Sequence, residues 1–111
     1  MSDLPLSSSG KLALDVAICA AREVGAVIRE RFHTAKEISY KGPSNPVTDV
    51  DVKVELQLRD TFALEFPNFG FLGEESGGNA SDHEHSWIVD PVDGTRNYAL
   101  GVPHFAVSLA L

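Results

Sequence analysis

The most informative stretch of the chain is Trp87-Ile88-Val89-Asp90-Pro91-Val92-Asp93-Gly94-Thr95. Apolar residues lead into two carboxylates three positions apart, and a Gly-Thr pair follows. Asp90 and Asp93 can converge on one hard cation only if the chain bends sharply between them. Pro91 favours such a bend, because its φ is fixed and it disfavours a helical conformation at Asp90. Paired carboxylates in a bent loop after a buried strand are typical of Mg²⁺ and phosphate chemistry.

Other acidic residues extend this pattern. The acidic positions at the ends of predicted elements are Asp51, the pair Glu74-Glu75, Asp90 and Asp93. Mg²⁺ prefers oxygen ligands, and one bridging carboxylate can hold two such ions. The N–H groups of Gly94 and Thr95, at a possible helix start, would suit a phosphate. Each piece alone is more often structural, since Glu-Glu pairs are usually solvated and an acid early in a helix complements its dipole. Together they favour a metal site.

Size and composition describe one globular domain or less. The chain has 111 residues, of which 43% are hydrophobic and 23% charged. Its formal net charge of -7 argues against nucleic acid and against an anionic membrane surface as partners. The same charge fits a protein that gathers divalent cations and a protein that is merely acidic.

The N-terminus and the cysteine content bear on location. Residues 1–10 lack a basic flank and a long apolar stretch, so they are not a signal peptide. No apolar run reaches membrane-spanning length. The single cysteine, Cys19, cannot form an internal disulfide, and we expect it to be a small buried core residue. A cytoplasmic location is expected.

The periodicity predicts a mixed α/β chain. Residues 1–10 are Ser-rich and are expected to form a flexible tail ahead of a domain over 11–111. Residues 11–32 are expected to form an amphipathic helix. Its predicted buried face comprises Leu14, Ala17, Ile18, Ala21, Val24, Ile28 and Phe32. Short strands are expected over 36–40 and 87–89, a short helix over 95–99 and a central strand over 105–111.

Residues 47–66 allow two interpretations. Val50, Val52, Val54, Leu56 and Leu58 alternate with polar residues, which is typical of a strand. A helix is favoured by Thr48 and Asp51, which are spaced as a capping box. The i, i+4 row of Val50, Val54, Leu58 and Phe62 also indicates a helix, and Pro67 could end it. The residues alone favour the helix only slightly.

Taken together, the motifs resemble those of the inositol monophosphatase family. Residues 87–95 match the family's main signature, and residues 73–76 match its Gly-Glu-Glu-Ser motif. Residues 47–51 resemble its Val-Thr-x-x-Asp segment, and Lys41 falls near an expected upstream lysine. The resemblance implies a layered α+β sandwich of the inositol monophosphatase and fructose-1,6-bisphosphatase type, of which this chain is the N-terminal portion. It also implies a helix from Thr48 to Phe66.

The resemblance further implies a Mg²⁺-dependent, lithium-inhibited phosphomonoesterase that uses two or three ions. Glu74, Asp90 and the backbone carbonyl of Val92 would hold the first ion. Asp90 would bridge to a second ion that is also held by Asp93. Glu74 would help to hold a third, weaker ion.

The resemblance assigns the remaining residues to water activation, phosphate binding and support. Thr95, with Asp51 behind it, would orient and activate the nucleophilic water. Phosphate would be bound by Asp93, Gly94 and Thr95. The supporting residues would be Lys41 and Glu75.

Substrate and completeness remain open at this point. Inositol monophosphate is the first expected substrate, and histidinol phosphate, fructose 1,6-bisphosphate and a 3′-phosphonucleotide are alternatives. A metal- or phosphate-binding module without catalysis and a purely structural domain are other classes of interpretation. Family members are considerably longer and carry a further metal-binding aspartate in their second half. We therefore expect this chain to be inactive alone and to hold its second metal weakly. A homodimer is a further expectation from the resemblance, since family members commonly dimerise.

Overall fold

The computed structural model describes residues 4–42, 45–78 and 82–111. Its elements are α1 (Ala13–Arg31), β1 (Ile38–Tyr40), β2 (Pro46–Thr48), α2 (Asp49–Glu65), β3 (Gly70–Gly73), β4 (Gly77–Gly78), β5 (Ser86–Asp93), α3 (Thr95–Leu100) and β6 (Ala106–Ala110). β1 and β2 form an antiparallel pair, and the other strands form a sheet in the order β4-β3-β5-β6. Because β3 and β5 are parallel while the outer pairs are antiparallel, the fold is α+β with a mixed sheet.

The ambiguous segment is a helix, α2. Thr48 and Asp51 form the capping box that their spacing predicted, with each side chain accepting from the other residue's backbone N–H. Val50, Val54, Leu58 and Phe62 are buried along one face. Val52 and Leu56, which alternation would also have buried, are exposed. The helical interpretation is therefore confirmed.

The core lies between α1, α2 and the inner face of the larger sheet. Phe62 of α2 stacks on Trp87 of β5 with ring centroids 4.0 Å apart. The hydroxyl of Tyr98, which is fully buried, donates to the carbonyl of Ile28 at 2.8 Å. These contacts join elements distant in sequence and fix β5 and α3 against the two long helices.

The buried face of α1 differs from the predicted one. The buried residues are Ala13, Val16, Ala20, Val24 and Ile28. Leu14 is 69% exposed and Ile18 is 41% exposed, so the expectation of their burial was wrong. Cys19 is exposed as well, which contradicts the prediction of a core cysteine. Apolar residues occupy more than one stripe of this helix, and periodicity alone selected a stripe displaced from the one that packs.

Strand β5 contains the bend expected between Asp90 and Asp93. Asp90 pairs with Ser108 and Asp93 with Ala106, so β5 carries one residue more than β6 across this interval. The extra residue is a β-bulge, and Pro91 suits it because proline has no N–H to donate to a ladder. The bend therefore lies inside the strand rather than in a loop after it.

Strand β6 differs from the central strand that its apolar composition predicted. Within the described residues it pairs with β5 alone and forms one edge of the sheet. Its residues are exposed or half-buried. A continuous apolar run indicates a tendency to be buried, but it does not specify how many neighbouring strands there are.

The segment before α1 makes specific contacts from Leu4 onward. Ser8 N–H donates to the Glu65 carbonyl at 2.8 Å, and the Ser9 hydroxyl donates to the Glu65 carboxylate at 2.8 Å. These contacts contrast with the flexible tail expected over 1–10, of which residues 1–3 lie outside the described part. In the part of the chain that the structure describes, no helix has both the length and the apolar character needed to cross a membrane.

Candidate metal and phosphate site

The acidic segments converge on one cleft. It has a volume of about 340 Å³ and lies where the bulge of β5, the start of α3 and the loop after β3 meet. Its lining includes all the candidate residues except Asp51, namely Lys41, Glu74, Glu75, Asp90, Val92, Asp93, Gly94 and Thr95. Asp51 is fully buried behind the cleft, where it contacts Thr95. The structure thus brings together residues from four separate segments of the sequence.

Asp90 is the most perturbed group in the cleft. Burial raises its pKa to about 7, and a hydrogen bond with Glu74 and the charges of Glu74, Asp93 and Asp51 act in the same direction. Its Oδ1 atom is buried without a hydrogen-bond partner among the described residues. Buried polar atoms are nearly always paired, and a carboxylate among other carboxylates is stabilised by a cation. The site therefore has the electrostatic character of a cation site.

The donor chemistry of the cleft fits a hard cation. Its lining, among the described residues, offers carboxylate and carbonyl oxygens and no histidine or cysteine. The described residues contain no cluster of three or more Asp, Glu, His or Cys side chains that forms a ready-made metal cage. Mg²⁺ does not require such a cage, because it keeps several waters and usually takes one or two carboxylates. Asp90, Asp93, Glu74 and the Val92 carbonyl could supply that smaller set.

Thr95 links the cleft to the N-terminus of α2. Its Oγ1 lies 2.7 Å from Asp51 Oδ1 and 2.9 Å from the carbonyl oxygen of Val92. The other carboxylate oxygen of Asp51 accepts from the backbone N–H of Thr48 at 3.0 Å and from the Thr48 hydroxyl. A hydroxyl has one proton to donate and two lone pairs. If Thr95 donates to Asp51, its lone pairs remain free to accept from a water in the cleft.

Two features favour glycine at position 94, namely its backbone conformation and the close approach of another backbone segment. Its φ of 94° lies in the left-handed region, and it caps the start of α3. A Cβ at this position would lie 2.9 Å from the carbonyl oxygen of His104. The glycine therefore lets the chain turn from β5 into α3 while the backbone passes close to the β6 side of the cleft.

Lys41 and Glu75 form an ion pair at the rim. Lys41 Nζ lies 3.4 Å from Glu75 and 3.7 Å from Glu74. Burial lowers the pKa of Lys41, but the charges of Glu75 and Glu74 outweigh it and the net direction is upward. Burial raises the pKa of Glu75, and Lys41 opposes that rise only in part. Lys41 thus compensates part of the negative charge at the cleft entrance.

Two residues of α2 that the sequence did not single out also reach this region. The buried Glu55 accepts from the backbone N–H groups of Glu75 at 2.9 Å and Ser76 at 2.5 Å. Arg59 donates to the Ser76 hydroxyl at 2.6 Å. The available signal was their spacing, since Asp51, Glu55 and Arg59 follow one another at i+4 on α2.

Comparison with known proteins agrees with the motifs. The sequence profile described as Inositol monophosphatase family matches residues 12–111. The chain belongs to this family. Among similar proteins, the Nus factor SuhB of Salmonella typhimurium is 41% identical over 101 residues, which cover 88% of this chain and 38% of that protein. The inositol-1-monophosphatase of Caulobacter vibrioides is 44% identical over 92 residues, which cover 82% and 34%.

Solved structures of other proteins share the fold. The extragenic suppressor protein SuhB of Bartonella henselae superimposes with a TM-score of 0.82 at 37% identity, covering 87% of this chain and 39% of that one. An IMPase of Thermotoga maritima gives a TM-score of 0.81 at 31% identity, covering 87% and 38%. The chain thus spans less than two fifths of the length of these relatives, and it has the α+β fold of the corresponding part.

Proposed function

We propose that this member of the inositol monophosphatase family carries the metal-binding and water-activating residues of a Mg²⁺-dependent phosphomonoesterase. The first substrate we propose is inositol monophosphate. The observation that carries the proposal is the buried Oδ1 of Asp90, which has no partner among the described residues and lies in a cleft with Glu74 and Asp93. The name of the Caulobacter relative, inositol-1-monophosphatase, supports the choice of substrate.

In this proposal the carboxylates would bind two or three ions. Glu74, Asp90 and the Val92 carbonyl would hold a first Mg²⁺, Asp90 and Asp93 would hold a second, and Glu74 would contribute to a third, weaker site. Bound Mg²⁺ would lower the pKa of a coordinated water and offset the charge that develops on the phosphate oxygens. The solved structure of an IMPase/NADP phosphatase with Ca²⁺, at 26% identity, supports a divalent ion in this fold.

In the proposed reaction, Thr95 and Asp51 accept the proton that the attacking water loses. The Thr95 hydroxyl donates to Asp51 and accepts from the water, so a proton can pass from water to Thr95 while the Thr95 proton moves toward Asp51. The burial of Asp51 keeps its carboxylate in one orientation. Gly94 and Thr95 offer backbone N–H groups to the phosphate, and Lys41 and Glu75 keep the rim in place.

Several further properties are part of the proposal. Lithium sensitivity is supported by a staphylococcal inositol monophosphatase, 28% identical, whose structure is a LiCl-soaked inhibitory complex. Homodimerisation and a cytoplasmic location are carried over from the sequence expectations. A second candidate function follows from the Salmonella relative, whose name assigns it a role as a Nus factor.

Metal binding by the chain is the first test. We expect Mg²⁺ at millimolar concentration to raise the melting temperature of the 111-residue chain and Asp90→Asn to abolish that rise. A melting temperature that does not respond to Mg²⁺ would contradict the proposed metal site. Phosphate release from inositol 1-phosphate by this chain alone would contradict the expectation that it is inactive alone.

A chimera tests catalysis. Residues 12–111 of this chain replace the matching segment of the Caulobacter relative, and Mg²⁺-dependent phosphate release from inositol 1-phosphate is measured. We expect activity in the chimera and at least a hundredfold loss with Thr95→Val in the same background. A folded chimera that binds Mg²⁺ but hydrolyses neither this ester, histidinol phosphate, fructose 1,6-bisphosphate nor a 3′-phosphonucleotide would favour the second candidate.

A further inference from the structure

Helix α2 presents three polar side chains on successive turns to the segments that form the cleft. Asp51 contacts Thr95 at the start of α3. Glu55, one turn later, contacts the backbone of Glu75 and Ser76. Arg59, a further turn along, contacts Ser76 and Gly77. One helix therefore touches both the water-activating side and the Glu74 side of the cleft.

Glu55 is placed to hold the loop after β3. Its side chain is among the most deeply buried of the chain, with the residue 1% exposed. Its two oxygens each accept one backbone N–H, from Glu75 at 2.9 Å and from Ser76 at 2.5 Å. The preceding N–H, that of Glu74, donates to the carbonyl of Val89 at 3.1 Å. Three consecutive N–H groups of this loop are thus fixed, two of them by one side chain.

The surrounding residues are fitted to this carboxylate. A Cβ at Gly73 would lie 2.6 Å from each oxygen of Glu55, so the glycine leaves the space that the carboxylate needs. Arg59 donates to the Ser76 hydroxyl at 2.6 Å and to the Gly77 carbonyl at 3.1 Å. Its guanidinium also lies 4.3 Å from the centre of the Phe71 ring. The loop is therefore held by Glu55 through the Ser76 backbone N–H and by Arg59 through the Ser76 hydroxyl and the Gly77 carbonyl.

We infer that Glu55 is a positioning residue for metal binding, which acts by fixing the backbone on which Glu74 projects toward Asp90. This inference rests on the proposed function, because it gives Glu74 the part of a ligand. Glu74 itself is about half exposed and lies beside other carboxylates that repel it. A loop that was not anchored could turn this side chain toward solvent, away from Asp90. Partners that orient a metal ligand commonly affect metal affinity by 10–100-fold.

The test measures Mn²⁺ affinity by electron paramagnetic resonance in the 111-residue chain and in Glu55→Gln. Glutamine keeps the shape of the side chain, but it has one acceptor oxygen, and its NH₂ group faces a donor. We expect Mn²⁺ to bind about 10–100-fold more weakly to Glu55→Gln. Faster amide hydrogen exchange at Glu75 and Ser76, measured by NMR, is expected with it. Glu30→Gln, on the exposed side of α1, removes the same charge and should leave both measurements unchanged.

A second variant keeps the inference testable if Glu55→Gln does not fold. Arg59→Gln leaves Glu55 intact and removes the support on the other side of Ser76, so we expect a weaker affinity for Mn²⁺ in this variant too. A lower melting temperature with unchanged Mn²⁺ affinity in both variants would show a purely structural role and overturn the inference. Failure of the unsubstituted chain to bind Mn²⁺ would instead overturn the proposed function.

Discussion

Thr95 Oγ1 lies 2.7 Å from Oδ1 of Asp51, although 44 positions separate the two residues in the sequence. The second oxygen of the same carboxylate caps α2 through the Thr48 N–H. Asp51 therefore joins the start of one helix to the start of another, directly behind the cleft. Substitutions of Thr95 and of Asp51 distinguish what this contact contributes to stability from what it contributes to the proposed water activation.

Thr95→Val should lower the stability of the chain modestly, and in the chimera it should lower phosphate release at least a hundredfold. Valine has nearly the same shape but no hydroxyl, so Asp51 loses a buried donor. We expect a decrease of about 1–2 kcal/mol in the free energy of unfolding, measured by urea denaturation. Mg²⁺ affinity should change little, because the Thr95 side chain is not a proposed ligand. Thr95→Ser, which keeps the hydroxyl, is the matched control and should recover most of the stability.

Asp51→Ala should be more damaging than Thr95→Val. It removes the partner of Thr95 and, in addition, the acceptor that completes the capping box of α2. Loss of a cap and of a buried hydrogen bond together should cost about 2–3 kcal/mol. Urea denaturation of Asp51→Ala, Asp60→Ala and the unsubstituted chain measures this. Asp60 is exposed on the same helix, so an equal effect of both substitutions would contradict the structural role of Asp51.

Asp90→Asn should stabilise the chain in the absence of divalent ions. The ordinary pKa of this carboxyl is 3.8, and burial among other acids raises it to about 7 in the folded chain. Between these values the folded state keeps a proton that the unfolded state has lost, so stability falls as the pH rises from about 4 to about 7. Asparagine does not titrate, so the substitution removes this pH-dependent fall in stability. At pH 8 with EDTA we expect a gain of about 1–2 kcal/mol, discounted for the partial exposure of Asp90.

The pH dependence of melting gives the direct check on Asp90. The decline in melting temperature between pH 4 and 7 should be smaller in Asp90→Asn than in the unsubstituted chain. Parallel curves would show that Asp90 titrates at its ordinary pKa of 3.8 and not at about 7.

Mg²⁺ affinity should itself depend on pH. A metal binds the deprotonated form of its ligand, and the pKa of Asp90 is raised to about 7 by burial and by Glu74. Below that pH the apparent affinity should fall by up to about tenfold per pH unit, and it should level off above pH 8. Isothermal titration calorimetry at several pH values measures it. Affinity that is constant from pH 5.5 to 8 would contradict the part proposed for Asp90.

Gly94→Ala and Gly101→Ala form a matched pair. Both glycines have a positive φ, 94° and 77°, and both therefore resist a side chain. A Cβ at Gly94 would also press on the His104 carbonyl, whereas a Cβ at Gly101 would meet nothing within 4 Å. We expect Gly101→Ala to cost about 1 kcal/mol and Gly94→Ala about 2–3 kcal/mol by urea denaturation. Equal costs would show that the approach to His104 is relieved by a small shift.

The sequence allowed more of the candidate site residues to be predicted than of the residues that hold them in place. Asp90, Asp93 and Glu74 form recognisable motifs, because ligand chemistry restricts the residue types and the spacing. The capping box at Thr48 indicated the helix that alternation of the valines obscured, because a capped first turn is a local hydrogen-bond pattern. The structure places Asp90, Asp93 and Glu74 in one cleft, and their roles as metal ligands stay predictions.

Packing partners were harder to predict, because they depend on the whole fold. Leu14 and Ile18 are as apolar as the residues that α1 buries, and the positions of α2 and β6 decide which stripe of α1 packs. The same holds for β6, whose apolar residues give no count of neighbouring strands. Glu55 was missed because its hydrogen bonds reach backbone groups about twenty positions away, which leave no mark in the residue types.

Two carboxylates, one that lines the cleft and one that is buried behind it, contribute to folding stability with opposite sign. Asp51 supplies stability through the capping box and Thr95, whereas Asp90 is held at a cost among other acids. In a library selected for thermal resistance alone without divalent ions, replacements of Asp90 should therefore be enriched and replacements of Asp51 depleted. Selection for stability alone would therefore retain Asp51, whereas Asp90 would be retained only under selection for the proposed cation-dependent function.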